Sequence, residues 1–144
     1  MKTRSSSPRH ERGQSLVEFA ISLTFILILL AGAVDFGIGL FHYSAMRDAA
    51  QEGALYGSMN PDNTAEIGNR VANASGDSGI IQKMLDEGMT VAVSYTGAHC
   101  EGNGITVTLQ YDYNISMPFI GAFVGDTIHL RAEVTDTILT PVCP

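Results

Sequence analysis

Leu16-Val-Glu-Phe-Ala-Ile-Ser-Leu-Thr-Phe-Ile-Leu-Ile-Leu-Leu-Ala-Gly-Ala-Val34 is a run of nineteen residues with one charge, that of Glu18. At about 1.5 Å per residue a helix of this run reaches roughly 28 Å, close to the hydrocarbon thickness of about 30 Å. Backbone groups in lipid have no water to bond, so a spanning segment satisfies them internally and is a helix. Lys2, Arg4, Arg9 and Arg12 stand before it against Glu11 alone, which leaves residues 1–15 at +3. Few basic residues follow closely, so the positive-inside rule places the N-terminus in the cytoplasm and the remainder outside. Two other readings compete. A cleaved secretory signal also has a basic start and an apolar run, and Ala31-Gly32-Ala33 fits its cleavage pattern; this run, however, exceeds the usual length of about 7–15 residues and begins with a carboxylate. A buried helix of a soluble domain would need more chain around it than is present.

Outside the run the charge reverses. Residues 36–144 hold Arg47, Arg70, Lys83 and Arg131 against twelve carboxylates, a balance of −8. No basic stripe exists to neutralise phosphates, so nucleic acid is not an expected partner. Roughly 90 residues remain for a soluble domain, enough for one modest core. Cys100 and Cys143 both fall in this acidic part. In an exported domain they are candidates for a disulfide, worth roughly 4 kcal/mol for a loop of about 43 residues; the other reading is two unpaired small apolar residues.

Gly13 precedes the apolar run and Glu18 is the fifth residue after it, followed by Phe19. A glutamate near the lipid edge either snorkels to the headgroups or pairs with a positive group at the same depth. A cut after Gly13 would supply such a group, the new amine of Gln14. A basic leader, a glycine, a glutamate at the fifth position, an aromatic at the sixth and a long apolar helix resemble the processing signature of type IV prepilins. The fuller string Arg12-Gly-Gln-Ser-Leu-Val-Glu-Phe-Ala20, with Asp35-Phe36-Gly37 and Asp48-Ala-Ala-Gln-Glu-Gly-Ala-Leu-Tyr-Gly57, resembles the TadE-like proteins of the tight-adherence (Tad/Flp) pilus system. The resemblance covers residues 12–58 specifically and the rest in outline. It implies cleavage between Gly13 and Gln14 by a prepilin peptidase, with Glu18 and Phe19 in the recognised segment. It also implies a minor pilin or pseudopilin, working with other pilin subunits and the Tad assembly platform. One departure is Gln14, which stands where many type IV pilins have phenylalanine or methionine.

Beyond Asp35 the pattern turns amphipathic and predicts that the helix continues to about Gly57. Asp35 itself is either a hydrated interfacial carboxylate or a partner for a neighbouring helix. Ala45, Ala49, Gly53 and Gly57 recur every four residues with Ala50 and Ala54 beside them, a smooth strip on one face. Such a strip lets another backbone approach closely, and glycine in a helix costs about 1 kcal/mol relative to alanine, so a contact is expected to offset it. That contact is with the protein's own sheet or with another subunit. Arg47, Asp48 and Glu52 are expected to face solvent.

Asn60-Pro61-Asp62-Asn63 is a turn cluster. A short helix is predicted over Thr64–Ala74, and a second over Ile80–Leu85, capped by Asp77 or Ser78 and ended near Gly88. Period-2 alternation then predicts strands over Met89–Tyr95, Gly104–Tyr113 and Ile128–Asp136. The sum is an α+β fold: a long N-terminal helix packed on a small antiparallel sheet of about three strands, pilin-like. The expected organisation is a leader over 1–13, a transmembrane helix over 14–40 and an extracytoplasmic domain over 41–144. The uncharged stretch Pro118–Val124 is either core cover or an exposed patch for a partner or the membrane surface.

The chemistry-bearing residues are scattered. His10, His42, His99 and His129 show no metal-ligand spacing, and no phosphate loop or nucleophile elbow occurs. Asp112, Glu133 and Asp136 read as solvated strand-edge carboxylates. Neither catalysis, metal nor cofactor is expected. The leading expectation is an inner-membrane, single-pass pseudopilin assisting a pilus used for adhesion, biofilm formation or DNA uptake. A tethered extracytoplasmic binding or chaperone module is the second reading, and a secreted enzyme or toxin released at Ala33 the third.

Overall fold

The computed structural model describes residues 11–74, 79–115, 121 and 125–143. Its first element, α1 (Glu11–Met59), is one unbroken helix of 49 residues, roughly 73 Å long at about 1.5 Å per residue. It has two halves. From Gly13 to Leu30 every residue is exposed, Leu16 at 69% and Phe25 at 64%. An apolar rod with nothing folded against it is long enough to cross a membrane. From Asp35 onward one face is covered: Asp35, Met46, Ala49, Ala50, Gly53, Ala54, Gly57 and Ser58 are buried, at the 3.6-residue spacing of a helix laid on a core.

Two short helices and a sheet close on that face. α2 (Thr64–Asn73) starts where the Asn63 side chain accepts a hydrogen bond from the Glu66 backbone N–H at 3.2 Å, the usual N-cap device. It buries Ile67 and Val71, one turn apart. α3 (Ile80–Asp86) buries Ile81 and Met84. Its cap differs from the expectation. Asp77 and Ser78 lie outside the described residues, and the N-cap is Gly79 in the left-handed region, without a side-chain bond. The far end is a Schellman motif: Met89 N–H bonds Met84 C=O at 2.8 Å and Gly88 N–H bonds Leu85 C=O at 3.1 Å, with Gly88 at φ 104°. Only glycine adopts that angle without strain.

The strands are β1 (Thr90–Thr96), β2 (Gly104–Asn114) and β3 (Thr127–Thr137), in the order β1-β2-β3 with both pairings antiparallel. β2 is central, and its alternate residues Ile105, Val107, Leu109, Tyr111 and Tyr113 are buried against α1. Ile138, just past β3, is buried and Ala132 within it. The fold is therefore α+β, a helical spine on a three-stranded antiparallel sheet. Pro118–Val124 lies outside the described residues except Gly121.

Candidate functional site

The small-residue strip settles first. A Cβ on Gly53 would stand 2.6 Å from Val71 Cγ2 and 3.6 Å from Ile67 Cγ2; one on Gly57 would run into Ile105 Cδ1 and lie 3.1 Å from Ile67 Cδ1. Ala49 is fully buried and Ala45 partly so. The strip is thus filled by α2 and β2 of the same chain. Gly53 is there because α2 crosses too close for a methyl group, and Gly57 because Ile105 of β2 and Ile67 of α2 both close on it. Arg47 and Asp48 are exposed, and half-exposed Glu52 is 3.8 Å from Arg70, which also meets Glu66 at 3.5 Å. On the side of α1 away from that core Leu55 and Met59 are 51% and 49% exposed, and nearer the apolar run, where the domain no longer covers the helix, Phe36, Leu40 and Tyr43 are 40–67% exposed.

At the N-terminal end Gly13, Gln14, Glu18 and Phe19 lie on the exposed first turns of α1. Gln14, Val17, Glu18, Ile21 and Ser22 share one side of the helix. Among the described residues no salt bridge involves Glu18. The distal end is held by the C-terminal tail. Cys100 and Cys143 form a disulfide, Cα–Cα 5.0 Å. Backbone bonds run from Ile138 N–H to Asn103 C=O (2.8 Å), from Glu101 N–H to Pro141 C=O (2.8 Å) and from Leu139 N–H to Ser58 C=O (2.8 Å). The tail therefore straps the end of α1 to the β1–β2 loop.

A polar cluster that the sequence reading did not assemble sits where α1 leaves its apolar half. Asp35 is only 5% exposed, while Val34 and Phe36 beside it are 48% and 67% exposed. The Tyr113 hydroxyl donates to Asp35 Oδ1 at 3.5 Å. Two turns on, His42 lies between Tyr111 and Tyr113, with ring centroids 5.9 and 5.2 Å away. Its Nδ1 is shielded from solvent without a hydrogen-bond partner among the described residues. Burial lowers the His42 pKa below its ordinary 6.5; the Glu87 carboxylate opposes this and the Lys83 ammonium adds to it. Tyr111 donates to Glu87 Oε2 at 2.6 Å, and burial together with that bond pushes its phenol up to about 12. His42, Lys83, Glu87, Tyr111 and Tyr113 line a shallow groove of about 560 Å³. The usable signal was the seven-residue step from Asp35 to His42 on one helix face, facing two tyrosines two apart on one strand.

Asp112, Glu133 and Asp136 are dispersed along the sheet. Asp112 pairs with His129 at 2.5 Å and Glu133 with Arg131 at 2.6 Å, all exposed. His99 contacts Asp62 at 2.7 Å and stacks on Tyr95 at 3.8 Å, beside the disulfide.

Residues 13–55 match the family model for TadE-like protein. No curated protein and no solved structure matches the chain. The matched stretch opens at the glycine after the charged leader, takes in Glu18, Asp35-Phe36-Gly37 and Gly53, and ends within α1, before α2 and the sheet begin. Over that stretch the chain is similar to TadE-like proteins.

Proposed function

We propose that this chain is a membrane-anchored TadE-like pseudopilin that assists assembly of a Tad/Flp pilus, and that a prepilin peptidase cuts it between Gly13 and Gln14. The observation that carries the reading is the coincidence of the family match over 13–55 with a helix that is bare and apolar below Asp35 and clad by its own domain above. The bare half supports insertion in the inner membrane with the leader in the cytoplasm. Glu18 then lies about one turn inside the cytoplasmic edge, at the depth of a freed Gln14 amine on a neighbouring subunit, where an ion pair in a poorly hydrated setting is favourable. Because the small-residue strip is occupied within the chain, other pilin subunits meet α1 on the Leu55 and Met59 side.

The test is Glu18→Ala in cells that make the pilus. The expected result is normal membrane insertion with few or no pili. Unchanged piliation would remove the pairing role of Glu18. If loss of the whole chain also left piliation intact, the tethered binding or chaperone module would replace the pseudopilin reading.

A further inference from the structure

β2 runs back along α1 toward the membrane. Ile105 meets α1 at Gly57, and Tyr113 meets it at Gly39, 4.0 Å from where a Cβ would be. Those 18 residues of helix cover about 27 Å, and the corresponding eight residues of strand about 26 Å, so the two axes are nearly parallel. Strand and helix positions can therefore be read off one scale. Ile115, two residues past Tyr113, falls about 7 Å further on, level with Val34 and Asp35, where the apolar run ends. The ladder closes at that level: Ile115 N–H bonds Asp126 C=O at 3.0 Å, and Thr127 Oγ1 donates to Asn114 Oδ1 at 3.3 Å.

Between Asp112 and Asp126, both exposed, the described residues of this end carry no charge. Ile128 has the same parity as Leu130 and Ala132, on the helix-facing side of β3, yet it is 37% exposed because the core has ended. Tyr113 closes over Asp35 and buries that carboxylate, while Asp126, beside Ile115, keeps its charge in solvent at the edge of this end.

We propose that this end of the sheet, Ile115 and Ile128, together with Phe36 and Leu40 of α1, is a lipid-docking rim seated in the outer leaflet beside the helix. It rests on the reading of α1 as a membrane span. The domain is then attached to the membrane at two points, the helix and the sheet end, which fixes its tilt. Aromatic and aliphatic side chains at headgroup depth are the chemistry that interface accepts.

The chain contains no tryptophan, so a single introduced one is an unambiguous reporter. The full chain would be reconstituted in vesicles of phosphatidylethanolamine and phosphatidylglycerol doped with brominated phosphatidylcholine, the bromines placed either near the headgroup or near the bilayer centre. Ile128→Trp is expected to lose most of its fluorescence to shallow bromines, less to deep ones, and to emit further to the blue than Val142→Trp at the distal end. Ile115→Trp serves as the second reporter if Ile128→Trp fails to fold. Phe25→Trp reports on the span itself and is expected to be quenched by deep bromines. Rim reporters as bright as Val142→Trp, with Phe25→Trp quenched, would overturn the docking rim alone. An unquenched Phe25→Trp would overturn the span and the rim with it.

Discussion

His42 shows how one shielded side chain can carry a pH dependence of stability. Its folded-state pKa is lowered, so between that value and the unfolded value of 6.5 the unfolded chain binds more protons. Stability is then full above the unfolded pKa and is lost as pH falls through the folded one. Thermal unfolding of the full chain in detergent should show a lower midpoint at about pH 5 than at about pH 7.5, and His42→Phe should reduce that difference. An undiminished difference in His42→Phe would place the pH dependence elsewhere. Glycines supply a second residue-scale prediction, because three on the helices meet different surroundings. Gly53→Ala forces a methyl onto Val71, a β-branched side chain with little rotamer freedom in a helix, and should destabilise by roughly 1–3 kcal/mol less about 1 kcal/mol of gained helix propensity. Gly57→Ala meets the terminal methyl of Ile105, which has room to swing, and should cost less. Gly68→Ala has nothing within 4 Å and should stabilise by about 1 kcal/mol. Denaturant titration of the three variants checks both order and sign.

At the scale of elements, α1 was legible from hydropathy alone, since a nineteen-residue uninterrupted run and a 3.6-residue pattern do not depend on distant contacts. The strands were equally legible, because every second residue of β2 from Ile105 to Tyr113 is buried and apolar. The start of α3 was not. Its cap is a left-handed glycine that leaves no side-chain signature, while Asp77 and Ser78 offered a misleading one. Nor does local sequence say what fills a small-residue strip: Gly53 meets Val71 across 18 positions, and only the α1–α2 crossing reveals it. The Asp35–His42–Tyr113 cluster was hidden for the same reason, as its members lie up to 78 positions apart. The tail is the element with the clearest energetic prediction. Cys143→Ser opens a 43-residue separation and should lower stability by up to about 4 kcal/mol, as read from unfolding with and without reductant. A midpoint insensitive to both would mean that the hydrogen bonds of residues 138–141 alone hold the strap. The open face of α1 yields another. Leu55→Asp, at a position 51% exposed, should leave the fold intact by circular dichroism yet reduce piliation; normal piliation would direct subunit contact elsewhere.

Taken whole, the molecule is a charge gradient along one helix: a leader of +3, a bare apolar rod, and a domain of −8 folded around the far end. The gradient, the exposed rod and the TadE-like match over 13–55 are what support the proposed arrangement, in which a processing site lies at the cytoplasmic edge and the sheet outside. The secretory-signal reading places the cut at Ala33 instead, which would remove Glu18 and the whole apolar half while leaving the sheet intact. The two accounts therefore differ in the mass of the mature chain and in whether it keeps an anchor. Intact mass spectrometry of the protein extracted from membranes of the producing cell separates them directly. The account predicts a chain that has lost residues 1–13 and begins at Gln14. A chain beginning at Val34, or one that keeps its leader in full, would contradict it.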